Sequence, residues 1–310
     1  MLLALGKPVL HISAAVKPEL LQEYMTSIWE LTPDYAVQYC GGSAAQNSRC
    51  GGQWLLPPRS TVYLCCIGKD HKLEYLNNPE VSTGRCAMLI TDIHPSVVTD
   101  LIANNHKMDH LKSPAVWAQV EHATHNYVEG YVLTVNAPSI LAIAEHASNI
   151  NKKYMVVFSV FSAPFILEFI DKRLDELLPY IDIVVGNERE AQSYADVKLW
   201  GFKDVAEMAL KVAALPKVSE MHPRLLVLTQ AASDTFVVQS GKVLTFPTIK
   251  ISPAKIVDSN GAGDGFCRGF MFMEQSIATG HYVANDVVQR TGPTYPREAQ
   301  AISFVDHQEL

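Results

Sequence analysis

The chain has little that would tie it to a nucleic acid, a membrane or an oxidising compartment. Lys and Arg total 25 against 32 Asp and Glu, a formal net charge of −7. No basic stripe is available to neutralise a row of phosphates, which argues against a nucleic-acid partner. No apolar run approaches the roughly 20 residues that a membrane-spanning helix needs, so no membrane association is expected. The apolar start, Met1 to Val16, breaks at Lys7 and has no positive region before it, so it reads as a buried first strand rather than a signal peptide. The six cysteines, Cys40, Cys50, Cys65, Cys66, Cys86 and Cys267, form no Cys-x-x-Cys pair. Reduced thiols in the cytoplasm are the expectation. Low-complexity tracts and internal repeats are missing, as are a Walker loop and a Gly-x-Ser-x-Gly nucleophile elbow. His106 and His110, and likewise His122 and His125, lack a third ligand and do not make a metal site.

What is present is an ample apolar fraction, 48%, arranged as short Val/Ile/Leu runs alternating with longer amphipathic segments. Predicted strands are Leu2–Leu5 with Val9–Ser13, Thr61–Ile67, Cys86–Thr91, Tyr127–Tyr131, Met155–Ser159, Ile181–Val185, Leu225–Thr229 and Thr235–Gln239. Predicted helices are Ser43–Trp54, Pro138–Asn149, Pro164–Leu177, Glu188–Ala195, Lys203–Ala214, Gly265–Glu274 and His281–Gln289. The alternation implies βαβ units and a doubly wound, mostly parallel α/β sheet flanked by helices. Ala14 to Tyr39 and Lys69 to Val98 break the rhythm. The expected division is therefore an α/β core of residues 1–13, 40–81 and 99–310, with residues 14–39 and 82–98 forming a small, short β lid.

The segment with the most chemistry is Asp258-Ser259-Asn260-Gly261-Ala262-Gly263-Asp264-Gly265-Phe266. Ile256-Val257-Asp258 reads as the end of a strand, and Phe266, Phe270 and Met273 give the following helix an apolar stripe. Gly261 and Gly263 allow backbone N–H groups to crowd toward a ligand, and the helix points its positive end the same way. Gly261, Ala262 and Gly263 thus form an anion hole suited to phosphate. Asp264 is placed to accept a proton from an attacking hydroxyl.

This nine-residue string resembles the signature of the ribokinase-like family of sugar and nucleoside kinases, in which the final Asp is the catalytic base. The resemblance covers most of the chain and narrows to the adenosine kinases. Gly41-Gly42-Ser43-Ala44-Ala45-Gln46-Asn47 is similar to the family's double-glycine segment, which implies ribose contacts from Gly41, Gly42, Ser43 and Asn47. Ser162-Ala163-Pro164-Phe165 resembles a segment whose Phe stacks on the base. Asn187-Glu188-Arg189-Glu190 resembles the Asn-x-x-Glu motif, which implies that Asn187 and Glu190 organise ATP and Mg2+, Glu190 reaching the metal through water. On their own these two residues read as a helix cap. Thr229, Asn260 and His281 fall where the family binds the nucleotide. The implied reaction is transfer of phosphate from ATP to the 5′-hydroxyl of adenosine, giving AMP in purine salvage, with a lid that keeps water from the reacting phosphate.

Several positions depart from the family pattern. His11 stands where a ribose-binding Asp is usual and offers one acceptor in place of a carboxylate. Pro95 occupies the place of a lid Arg, Val160 that of an Asn, and Arg268 that of a small Gly. Ala231 replaces a Gly in the turn after Thr229 and would be strained if that residue has positive φ. These changes keep two alternatives open: an impaired homologue serving as a binding or structural subunit, and a kinase of another nucleoside or sugar. A monomer is expected, or a subunit of a larger assembly if the chain is inactive.

Overall fold

The apolar runs assemble into an eight-stranded sheet in the computed structural model, which describes residues 1–6, 9–15, 38–43, 45–47, 60–68, 76–78, 84–91, 94–100, 108–150, 154–158, 173–272 and 277–290. Two compact units divide the chain. The first comprises Met1–Gly6, Arg59–Leu64 and His106–Thr248, the second Lys7–Pro58, Cys65–Asn105 and Ile249–Leu310.

In the first unit the strand order is β14 (Lys242–Phe246), β13 (Ser233–Gln239), β12 (Leu225–Gln230), β11 (Ile183–Asn187), β10 (Tyr154–Phe158), β9 (His125–Glu129), β1 (Leu2–Leu5) and β4 (Thr61–Leu64). Pairing is parallel from β4 through β12 and antiparallel for β13 and β14. All of β1, and four of the five residues of β9 and of β11, are buried. Coverage on both faces is the physical reason that β1 and Ile183–Val185 of β11 read as unbroken apolar runs; β9 buries the polar Asn126 and Glu129 as well. β14, at the antiparallel edge, has no fully buried residue.

Among the described residues, the unit's helices include α1 (Met108–Leu111), α2 (Pro114–His122), α3 (Leu133–Ser148), α4 (Glu188–Val197) and α5 (Val205–Ala213). Val120, Ile140, Ile143, Tyr194 and Ala209 from these helices join Leu3, Val128, Val184 and Leu226 from the strands in one core. Removing such area from water is worth about 25 cal/mol per Å2. Sequence reasoning missed α2, although Ser113-Pro114 combines a capping residue type with a proline at the first helical position. The helix predicted from Pro138 begins earlier. Asn136 breaks it with φ −146° and ψ 48°, and its Oδ1 accepts from the Ser139 N–H, capping the second segment. Ser240 and Gly241, at φ 50° and 73°, make the tight β13–β14 turn and account for a strand that apolar periodicity did not reveal. Arg224 is buried, and its guanidinium donates to the carbonyls of Leu178, Leu215 and Pro216, satisfying loop and helix-end acceptors.

The second unit contains a four-stranded sheet in the order β3 (Gln38–Gly42), β2 (Val9–Ala15), β7 (Gly84–Thr91) and β8 (His94–Asp100). β2 runs antiparallel to β3 and parallel to β7, and β7 and β8 form an antiparallel pair. A short parallel pair links β5 (Cys66–Gly68) and β6 (Leu76–Asn78). Residues 9–13, grouped with the core by the sequence reading, thus pair in the same sheet as residues 84–91, grouped with the lid. Pro95 lies on the edge strand β8, where its missing N–H interrupts least.

Helices α6 (Ala262–Phe272) and α7 (Ile277–Val288) complete the unit. They approach so closely that a Cβ on Gly269 would lie 2.3 Å from the Thr279 carbonyl oxygen, so no side chain fits there. Phe266, Phe270, Val283 and Val287 fill the surrounding contact. Ile256–Asp258, predicted to end a strand, does not form one. The N–H groups of Val257 and Asp258 both donate to the Val288 carbonyl, at 2.8 and 3.2 Å, so they dock on the end of α7 and are not engaged in a ladder.

Ala231, in the β12–β13 connection, has φ 49°. The left-handed region disfavours any residue with a Cβ, so the strain anticipated at this position is present. Ala231→Gly is expected to raise unfolding stability by roughly 0.5–1 kcal/mol, after the greater entropy of glycine in the unfolded chain is discounted. Urea denaturation of the two proteins checks this, and an unchanged or lowered midpoint contradicts it.

Candidate active site

The loop entering α6 is built by local hydrogen bonds. Asp258 is 1% exposed, and its Oδ1 accepts from the Asn260 N–H at 2.9 Å, turning the chain. Gly261 then takes φ +77°, a conformation that costs a residue with a Cβ about 1–2 kcal/mol. Its carbonyl accepts the Gly265 N–H at 2.8 Å, closing the first turn of α6. Gly261, Ala262 and Gly263 therefore surround the positive end of a helix of 11 residues, with Asp264 in its first turn. Asn260 Nδ2 is buried and has no hydrogen-bond partner among the described residues. A buried donor beside a helix N-terminus suits an acceptor-rich anion such as a phosphate.

A second segment reaches this loop from far away in the sequence. β3 ends at Gly41-Gly42, whose register partners are Leu10 and Val9 on β2; His11 stands opposite Cys40. Ser43, 7% exposed, follows. Its Oγ accepts from the Gln46 N–H at 3.1 Å and its carbonyl from the Asn47 N–H at 2.8 Å, so Ser43 caps the helical turn at 45–47. Asn47, 5% exposed, then donates from Nδ2 to Asp264 Oδ2 at 2.8 Å. The resemblance assigned Asn47 to ribose alone. The bond to Asp264 was not foreseen, because nothing local connects residues 217 apart.

Asp264 as a whole is half-buried, but its carboxyl is desolvated. Burial pushes it up from the usual carboxylate range to about 6, and the hydrogen bond from Asn47 opposes that rise. The group is thus ionised at neutral pH yet holds a proton far more readily than an exposed Asp. That combination suits a general base.

Other predicted site residues are distributed as follows. In the first unit Asn187 ends β11 and caps α4. Asn187 Oδ1 accepts the Glu190 N–H at 2.9 Å, and Glu190 Oε2 accepts the Asn187 N–H at 3.2 Å. This reciprocal capping box is the structural role the pair suggested on its own. Thr229, near the end of β12, donates from Oγ1 to the Gly186 carbonyl at 3.3 Å. In the second unit His281 is buried on α7, its ring centroid 5.5 Å from that of Phe266. Arg268, one turn beyond Asp264, is fully buried. Phe165 and Val160 lie outside the described residues.

A mostly parallel sheet with flanking helices in one unit, and a desolvated aspartate on a glycine-opened helix in the other, are the features of a ribokinase-like phosphotransferase. The chain belongs to the pfkB family of carbohydrate kinases, whose sequence profile matches residues 30–300. Within that family it is similar to adenosine kinases. Adenosine kinase 2 of Arabidopsis thaliana is 37% identical to it, over 96% of each chain. Anopheles gambiae adenosine kinase, solved in complex with P1,P4-di(adenosine-5) tetraphosphate, superposes with a TM-score of 0.89 at 31% identity, covering 97% of this chain and 98% of that one. Adenosine kinase from Schistosoma mansoni, solved with 2-fluoroadenosine, gives 0.86 at 25% identity, covering 95% and 97%.

The displaced acidity of Asp264 has a consequence for folding. The folded chain binds this proton more tightly than the unfolded chain, whose ordinary value is 3.8. Stability therefore falls as pH rises from near 4 to about 6, and the cost is fully present above that. Asp264→Asn should be more stable than the parent by on the order of 1–3 kcal/mol at pH 8, the difference fading near pH 4. Urea melts at both pH values test this. Equal stability at pH 8, or a gain undiminished at pH 4, contradicts it.

Proposed function

We propose that the chain transfers the terminal phosphoryl group of ATP to the 5′-hydroxyl of adenosine, giving AMP. The observation that carries this reading is Asp264, held desolvated and ionised at the head of α6 beside the anion-binding loop. ATP supplies the phosphoryl group. Asp264 accepts the hydroxyl proton as the oxygen attacks, while the amides of Gly261, Ala262 and Gly263 and the end of the helix face the developing negative charge. The unpartnered Asn260 Nδ2 supports a phosphate ligand there. The adenosine kinases to which the chain is similar over nearly its whole length support the choice of acceptor.

The finer assignments belong to the same proposal. His11, Gly41, Gly42, Ser43 and Asn47 contact ribose, and Phe165 packs on the purine. Asn187, Glu190, Thr229 and His281 serve ATP and Mg2+. Magnesium ions keep several waters and bind mainly through substrate phosphates, which accords with Glu190 reaching the ion through water. Residues 14–39 and 82–98 act as the lid, and the enzyme works as a monomer in the cytoplasm. Buried thiols at Cys65 and Cys267 suit a reducing compartment, and no described helix is long and apolar enough to cross a membrane.

Incubation of the purified protein with ATP, Mg2+ and adenosine is expected to yield AMP, and Asp264→Asn to lower kcat about 100-fold or more. Chromatographic separation of AMP from adenosine measures both. No AMP from the parent protein rejects adenosine as acceptor, and full activity in the variant rejects Asp264 as base.

A further inference from the structure

The ribose contact implied for Asn47 leaves its observed hydrogen bond unexplained. We infer that Asn47 is also the positioning residue of the base, its amide holding one oxygen of Asp264 so that the carboxylate keeps a single orientation. The inference rests on the reading of Asp264 as the general base.

Three observations support it. Asn47 is set in place before it meets Asp264: the Ser43 hydroxyl caps the turn through the Gln46 N–H, and the Ser43 carbonyl takes the Asn47 N–H. With 5% exposure, the Asn47 side chain is enclosed, so its amide has few alternative directions. The Nδ2–Oδ2 distance of 2.8 Å is that of a charge-assisted bond. An anchored donor at this distance restricts rotation of the carboxylate about its side-chain torsions and keeps the base aligned at little further entropic cost.

The donor also favours the ionised form, against the burial that disfavours it. Lys250, Lys255 and Asp258 in the incoming segment, Cys267 and Arg268 on α6, and His281, Tyr282 and Asp286 on α7 are the titratable or charged groups among the described side chains of those elements. β2, β3 and β7 of the same unit carry His11, Tyr39, Cys40, Arg85 and Cys86. Burial and the Asn47 amide are the causes that displace the Asp264 titration.

The test is the titration of Asp264 in ligand-free protein, followed by NMR of 13C-labelled aspartate carboxyls and assigned by the resonance lost in Asp264→Asn. The parent midpoint is expected at about 6. Asn47→Leu, which removes the donor, should raise it by about one unit. Asn47→Asp, which keeps the shape but sets a carboxylate against a carboxylate, should raise it further. With adenosine, both variants should lose about tenfold or more in kcat, a larger change than in KM. Circular dichroism confirms that each variant is folded, and the isosteric Asp variant covers a failure of the Leu variant to fold. An unmoved midpoint, or a defect confined to KM, overturns the inference and leaves Asn47 a substrate contact. A raised midpoint without turnover of adenosine upholds the link to Asp264 and rejects the acceptor instead.

Discussion

One carboxylate at the head of one helix is the constraint around which the second unit is organised. The Asp264 carboxyl is removed from water and its titration is raised to about 6, and several features of the chain hold it there. The left-handed turn at Gly261 delivers the chain into α6 with Asp264 in its first turn. The bare contact at Gly269 lets α7 approach α6 at backbone distance, and the Val288 carbonyl at the end of α7 anchors the incoming loop through two N–H groups. Asn47 supplies the compensating donor. Packing of this kind fixes a group to within the fraction of an ångström that proton transfer demands.

The positions where the chain departs from the family pattern do not fall on this apparatus equally. Pro95 sits on a sheet edge that tolerates it, and Ala231 carries its strain in a turn of the first unit. Arg268 is closer, but it is wholly enclosed and adds a cation within the packed helix. His11 lies in register with the strand that ends in Gly41-Gly42.

Much of the fold was legible because its signals are local. Parallel strands such as β1 and β10 announce themselves as apolar runs, α4 by Asn187 and Glu190 three apart, and the loop entering α6 by its glycines. What escaped was non-local or weakly patterned. Periodicity says that residues 9–13 are extended but not which sheet they join, and they pair with β3 and β7. The exposed strand β14 has too little burial to leave an apolar trace, although Ser240-Gly241 marked its turn. Ile256–Asp258 has a strand's composition but spends its N–H groups on Val288. The Asn47–Asp264 bond joins two motifs that could each be read separately, and no spacing rule relates them. Sequence singled out both residues; only the folded chain shows the hydrogen bond between them.

The most direct measurement of the account is the pH dependence of kcat/KM for adenosine phosphorylation between pH 4.5 and 8. With Asp264 as the base, the rate should climb about tenfold per pH unit at the acid end and level off through a midpoint near 6. A profile that is flat through this range, or one whose midpoint lies at the value of an ordinary exposed aspartate, would contradict a desolvated Asp264 as the group that takes the proton.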